Sequence, residues 1–109
     1  MMNPLKMAEM MQQANQMRGE MEQKLAQTQV EGTSGGGAVS VTMNGKKQLL
    51  KVKLDPSTVS ALSGGAKDLE MLEDLIVAAV NDAGRRAEEV MQSSMQGLLG
   101  GLKIPGLNA

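Results

Sequence analysis

The chain has 109 residues, of which 11 are Lys or Arg and 12 are Asp or Glu, so its formal net charge is −1. Because Cys and His are both absent, thiol nucleophiles, thiolate or imidazole metal sites and histidine acid–base catalysis are excluded. Phe, Trp and Tyr are absent as well, which excludes the aromatic stacking surfaces that most proteins use to bind single-stranded nucleic acids.

The same composition limits the class of protein. A chain of 109 residues can bury one core, so we expect a single domain. No nucleophile–base pair, metal cluster or cofactor loop can be assembled from these residues, and we expect no enzyme, no cofactor, no metal and no small-molecule substrate. No signal peptide and no apolar segment of about 20 residues is present, so we expect a cytoplasmic protein that does not enter a membrane.

The first predicted element is a long helix that starts at Asn3-Pro4, where a capping side chain precedes a proline in the first turn. Its apolar residues recur at steps of three or four and form one stripe, which ends near Thr28. This methionine-rich stripe could be an adaptable contact surface, but a packed dimer core is the simpler interpretation. The stripe consists of Met7, Met10, Ala14, Met17, Met21 and Leu25.

Three strands are predicted next. A weak strand from Val30 to Ser34 precedes three glycines that lack the GK[ST] continuation of a phosphate-binding loop, so they predict a loose connection. The strand at 38–43 alternates apolar and polar residues, and Asn44-Gly45 predicts a two-residue type I′ hairpin. That turn would place Val39 opposite Leu50. The apolar face of the hairpin would then consist of Val39, Val41, Met43, Leu50, Val52 and Leu54.

The opposite face of the hairpin is predicted to carry unbalanced positive charge. Lys47, Lys51 and Lys53 lie there beside Ser40 and Thr42, with no acidic residue on the same face of the hairpin. Because the net charge is negative, attraction to duplex DNA must come from such a local patch. We therefore predict that these lysines contact DNA; the alternative is a strand face that only keeps the protein in solution.

A short helical turn and a long helix complete the predicted fold. The turn starts at Asp55-Pro56-Ser57 and ends at about Leu62. The helix runs from about Lys67 to Met95, with acidic residues near its start, where the helix dipole favours them. No period remains in 97–109, which is predicted to be a flexible tail. The apolar stripe of the helix consists of Leu69, Leu72, Ile76, Ala79, Ala83, Ala87 and Val90.

Two adjacent arginines on this helix are the next candidates for DNA contacts. Asp82 precedes Arg85 and Arg86 by three and four residues, and Glu88 and Glu89 follow them, so ion pairing within the helix is the simpler interpretation. Relative to the apolar stripe, Arg85 falls on the outer face and Arg86 near its border. The complete set of candidate DNA contacts is Lys47, Lys51, Lys53, Arg85, Arg86, Arg18 and Lys24.

Element lengths predict a homodimer. Helices of about 24 and 29 residues would be roughly 36 and 43 Å long, whereas strands of six to eight residues reach about 20 to 26 Å. The helices would therefore overhang the sheet as arms, and their apolar stripes need a second chain to leave water.

One long segment resembles a known family. The run EMLEDLIVAAVNDAGRRAEE at Glu70–Glu89 resembles the long C-terminal helix of the YbaB/EbfC family, and shorter segments resemble the family in the same order. The similarity spans about residues 4–95, and Gly84 stands where the family more often has Ala. The shorter segments are 6–7 and 11–17 in the Met- and Gln-rich first helix, 41–45 in the hairpin and 55–57 after the last strand.

The resemblance implies an α+β chain of αβββα order, with residues 1–96 as a DNA-binding and dimerisation domain and 97–109 as a tail. It also implies a tweezer-like dimer that binds duplex DNA and is associated with the nucleoid. The leading hypothesis is therefore an architectural or regulatory protein that contacts phosphates with weak sequence preference. The alternative is a dimeric helical adaptor that holds another protein, with incidental DNA binding.

Overall fold

The order of helices and strands is the predicted one. The computed structural model describes residues 3–62 and 64–101, with the side chains of 98–101 left out. This order confirms the predicted α+β fold. The elements are helix α1 (Pro4–Gln27), strand β1 (Gln29–Ser34), a 3-10 turn (Gly35–Gly37), strands β2 (Val39–Asn44) and β3 (Leu49–Leu54), and helices α2 (Pro56–Ala61) and α3 (Ala66–Gly101).

Both predicted proline-containing helix starts are capped by a side chain. The amide of Lys6 donates to Oδ1 of Asn3 at 2.8 Å, and the amide of Thr58 donates to Oδ2 of Asp55 at 3.2 Å. Each bond satisfies one of the backbone N–H groups that a helix N-terminus leaves unpaired. These helix starts are local features and follow from the sequence.

The strands form an antiparallel sheet in the order β1-β2-β3. The predicted register of the hairpin is wrong, because Val39 lies opposite Leu54 and not opposite Leu50. Away from the turn the error is four residues, and since side chains alternate with a period of two, this even error leaves residues 51–54 on their predicted faces. Val52 accordingly lies opposite Val41 on the apolar face. A bulge between Thr42 and Met43 sets Met43 opposite Leu49, so the predicted alternation does not extend to Leu49 and Leu50.

The register differs because the turn is longer than predicted. The Lys47 amide donates to the carbonyl of Asn44, and the Asn44 amide donates to the carbonyl of Gln48, both at 3.0 Å. Lys47 has φ 65°, the left-handed residue that closes a three-residue hairpin loop. Gly45 serves a different purpose: its amide donates to the Leu25 carbonyl at 2.8 Å, and a Cβ there would lie 2.9 Å from that oxygen.

Helix α3 packs mainly against β1 and β2. The buried core consists of Val39, Val41, Met43, Ala79, Ala83 and Ala87. A Cβ on Gly32 of β1 would overlap backbone atoms of α3, so this glycine permits close approach of helix and strand. Two of the residues predicted for the apolar face, Leu50 and Val52 of β3, are not covered and stay 49% and 42% exposed.

Helix α1 has its predicted length of 24 residues, whereas α3 is longer than predicted. Helix α3 continues through Gly101 instead of ending near Met95, because each added residue of a formed helix contributes one more hydrogen bond. The predicted boundary at 96/97 therefore falls within the helix, and 102–109 lie outside the described residues. The chain measures 71 × 29 × 18 Å, so the helices overhang the sheet as predicted. No helix of the described residues has the length and apolarity to cross a membrane.

The methionine stripe of α1 is not packed within one chain. Leu25 is the buried residue of this helix, whereas Met7 and Met10 remain more than half exposed. On α3, Leu69 is likewise exposed although the helical period predicts it on the apolar stripe. In both helices the stripe extends beyond the part of the helix that the sheet can cover.

Candidate nucleic-acid interface

The face of the sheet away from α3, which we call the outer face, is formed by polar residues in two cross-strand rows. Because Val39 and Val41 are buried beneath α3, the residues that alternate with them point the other way. The strand pairing sets Glu31 beside Thr42 and Lys51 in one row. The second row consists of Thr33, Ser40 and Lys53.

The outer face carries two unpaired cations. Lys51 and Lys53 are exposed, and neither has a carboxylate within ion-pair distance in the described part of the chain. Lys53 acts at longer range on Asp55, whose pKa is lowered mainly by hydrogen bonds from the Ser57 and Thr58 hydroxyls and slightly by the lysine charge. Both ammonium groups are therefore available to a phosphate.

Lys47 does not belong to the outer face. Its Nζ lies 2.5 Å from Oε2 of Glu88 on α3, so its side chain points to the helix side of the hairpin. Lys47 is the third loop residue and has a left-handed backbone. Its side chain therefore takes a direction that it would not take in a two-residue turn. The expected patch of three lysines is thus reduced to two.

The two arginines of α3 share one carboxylate. Asp82 lies 3.3 Å from Nη2 of Arg85 and 3.5 Å from Nε of Arg86, which confirms Asp82 as their ion-pair partner within the helix. Glu88 pairs with Lys47 instead. Asp82 also accepts the backbone N–H of Thr33 on β1 at 3.1 Å. That hydrogen bond is the largest cause of its lowered pKa, with smaller contributions from Arg86 and Arg85. Both arginines remain more than half exposed.

The remaining candidates lie on α1. Arg18 donates to Oδ1 of Asn15 at 3.2 Å. Lys24 borders an open groove of about 510 Å³ between α1 and α3, which Met17 and Ser93 also line. The predicted contacts are therefore distributed over four places: the outer face, the hairpin loop at Lys47, the arginine pair on α3 and the first helix α1.

The contribution of β1 to the outer face was missing from the sequence interpretation. Thr33 adds an exposed hydroxyl beside Ser40, and Glu31 adds an acidic residue at the β1 side. The alternation of β1 would have placed both residues on this face once antiparallel pairing with β2 was assumed.

The chain is similar to bacterial proteins along nearly its whole length. The model of the YbaB/EbfC DNA-binding family matches residues 2–102. A nucleoid-associated protein of Acidobacterium capsulatum is 64% identical over 104 residues, which cover 95% of this chain and 96% of that protein. A nucleoid-associated protein of Koribacter versatilis is 51% identical over 98 residues, which cover 90% and 92% of the two chains.

A solved structure has the same fold. The crystal structure of an uncharacterized protein from Helicobacter pylori matches with a TM-score of 0.74 and 24% identity, covering 91% of this chain and 99% of that one. The similarity in fold agrees with the family match along the sequence. This chain belongs to the YbaB/EbfC DNA-binding family.

Proposed function

We propose that the protein binds duplex DNA as a homodimer with weak sequence preference and acts as an architectural or regulatory component of the bacterial nucleoid. The family match and the nucleoid-associated relatives support DNA as the partner. Duplex DNA is favoured over single strands because the chain has no aromatic residue for base stacking. The proposal involves no catalytic step and no cofactor.

The observation that carries the proposal is the uncovered outer face. Lys51 and Lys53 project from it and make no ion pair with any residue that the structure describes. They lie beside Ser40, Thr42 and Thr33. Lysine ammonium groups and Ser or Thr hydroxyls are common phosphate contacts in protein–DNA complexes. The two rows contain no Arg, Asn or Gln, the side chains that most often read base edges. The next pair on this face is Gln29 and Asn44, of which Asn44 is buried and bonded to Gln48. Such a face favours phosphate binding with little discrimination between sequences.

The exposed area of the chain supports a homodimer. One chain exposes 8270 Å², about 2,500 Å² more than the roughly 5,800 Å² expected for a compact monomer of this mass. The core is small, since its largest fully buried side chains in the described residues are the valines at 39 and 41. The elongated arms account for part of this excess area. A standard interface would bury only about 800 Å² on each partner, which is well below the excess.

An electrophoretic mobility assay across salt concentrations tests the DNA proposal. We expect complexes with unrelated duplexes of equal length to form with similar affinity and to dissociate as salt rises. Single strands of the same length serve as the control and should bind more weakly. Absence of any complex at low salt, or strong binding to one duplex only, would contradict the proposal.

A protein adaptor is the second candidate, and the exposed methionines of α1 are the observation that favours it. Met7, Met10 and Met11 are all more than half exposed, and flexible methionines suit surfaces that adapt to different partners. A partner captured from cell extract through this helix and retained at high salt would favour the adaptor. Loss of the nucleic-acid complex alone at high salt favours DNA binding.

A further inference from the structure

The end of β2 and the start of the hairpin loop carry a chemically reactive dipeptide, Asn44-Gly45. In such a pair the backbone nitrogen of the glycine attacks the side-chain carbonyl carbon of the asparagine, because glycine has no side chain to hinder the approach. The new C–N bond closes a succinimide ring, and the side-chain nitrogen leaves as ammonia together with the proton of the glycine N–H. Water then opens the ring to aspartate or isoaspartate, so that the amide of Asn44 becomes a carboxylate.

The fold requires both residues of this pair. A Cβ at position 45 would lie 2.9 Å from the carbonyl oxygen of Leu25, so a residue larger than glycine does not fit against α1. The side chain of Asn44 holds the loop, because its Oδ1 accepts the amides of Lys46 and Gln48, both at 3.0 Å. The packing of the hairpin therefore selects the reactive sequence, and protection has to come from the structure around it.

The side chain of Asn44 is held in an unreactive position. It is 3% exposed, and its Nδ2 donates to Oε1 of Gln48 at 2.7 Å. Closure of the ring would turn the side-chain carbon towards the nitrogen of Gly45 and break this hydrogen bond together with the two that Oδ1 accepts. Burial also limits access of the water that completes the reaction. The electrophile is therefore fixed by three hydrogen bonds and by its burial.

The nucleophile is held by α1. The amide of Gly45 donates to the carbonyl of Leu25 at 2.8 Å and to that of Thr28 at 2.9 Å, and Thr28 is the C-cap of this helix. Attack requires the nitrogen to lose its proton. The carbonyl groups at a helix C-terminus carry partial negative charge, which stabilises an N–H donor and disfavours a nitrogen anion. Contact with α1 therefore keeps the nitrogen protonated and unreactive.

We propose that Asn44 is a deamidation site that the C-terminal end of α1 keeps closed, and that separation of α1 from Gly45 opens it. Helix α1 is suited to such local opening, because Leu25 is its buried residue and residues 4–16 are exposed throughout. Elements with few buried contacts open at a lower free energy than the whole domain. Leu25 is therefore the side chain that holds the site closed.

Deamidation makes the separation of α1 permanent. The ionised carboxylate has no N–H to donate to Oε1 of Gln48, so one hydrogen bond of the loop is lost. Isoaspartate also adds one methylene group to the main chain before Gly45, which moves the amide of this glycine away from the carbonyls of Leu25 and Thr28. The modified chain then lacks the contact that fixes α1 to the hairpin.

Peptide mapping by mass spectrometry measures the conversion of Asn44 after incubation of the full-length chain at mildly alkaline pH. We expect the folded chain to deamidate at least about tenfold more slowly than the chain in guanidinium chloride, because only the open fraction reacts. Leu25→Ala should raise the rate in the folded chain at least about tenfold. Leu5→Ala is the matched control, because Leu5 lies at the other end of α1 and is 75% exposed.

Circular dichroism establishes that each variant is folded before the rates are compared. Equal rates in folded and denatured wild type would refute protection by the fold. A folded Leu25→Ala chain that deamidates no faster than Leu5→Ala would refute the role of α1. If Leu25→Ala does not fold, wild type at guanidinium concentrations below its unfolding transition decides: a rate that rises there supports local opening of α1, and a rate that rises only with global unfolding overturns it.

Discussion

Replacing Lys51 and Lys53 together with Gln should weaken the binding of duplex DNA. Each lysine that neutralises a phosphate releases counterions and contributes about 0.9 to the slope of log K against log salt. Loss of two contacts should therefore reduce the slope by about 1.8, and the affinity at 0.1 M salt by roughly 60-fold. If both chains of a dimer contact the same duplex, the slope should fall by about 3.6.

The fold should tolerate this double substitution. Both side chains are exposed and make no ion pair in the described residues. The matched control replaces Lys6 and Lys67 with Gln. These lysines are exposed on α1 and α3, so the control changes the net charge by the same amount. Fluorescence anisotropy with one labelled duplex at four or five salt concentrations gives both the affinity and the slope.

Two comparisons decide where the DNA lies. Lys47→Gln should change the slope little, because Glu88 already neutralises that side chain. Replacing Arg85 and Arg86 should also reduce DNA binding less than replacing Lys51 and Lys53, because both arginines share Asp82. Normal binding by the Lys51/Lys53 variant together with weak binding by the arginine variant would refute the outer face as the contact surface and place the DNA on α3.

Three further predictions concern stability. Asp82→Asn should weaken the ion pairs to Arg85 and Arg86. Because the native pKa of Asp82 is lowered, the free energy of unfolding measured with urea should be higher for wild type than for the variant above about pH 4. That advantage should disappear as the pH falls through the lowered pKa, and a difference that does not change with pH would contradict this role. Gly32→Ala should cost about 3 kcal/mol in the same assay, because its Cβ would overlap backbone atoms of α3, and a loss below about 0.5 kcal/mol would show that the helix can shift. Removing residues from Gly100 onward should leave the dimer and the Tm nearly unchanged, whereas a drop of many degrees in differential scanning calorimetry would show that this segment is docked.

Local patterns in the sequence determined the elements and the faces of the strands. The capping residues Asn3 and Asp55 mark helix starts because their bonds reach only three residues ahead. The faces of β2 and of residues 51–54 in β3 were predicted correctly despite a wrong register, since the error there is an even number of residues. The bulge beside Met43 interrupts this alternation at Leu49 and Leu50. Alternation also placed Lys51 and Lys53 opposite the buried side of the sheet.

The turn and its lysine depended on contacts that are distant in the sequence. Asn44-Gly45 is typical of a two-residue turn, but Gly45 serves the contact with Leu25 of α1, and the loop closes at Lys47 instead. The partner of Lys47 is Glu88 on α3. No local rule pairs two residues that are 41 positions apart, so the sequence alone does not show that Lys47 leaves the patch of three lysines.

The position of α3 on the sheet decided which apolar residues are buried. The periods of α3 and β3 predict apolar faces but not how far one element covers the other. Helix α3 lies close to β1 because Gly32 meets Ala79 and Ala83 without a side chain between them. A helix held at that edge cannot also cover β3, so Val52 stays exposed. This exposure follows from packing between elements, which the sequence alone does not contain.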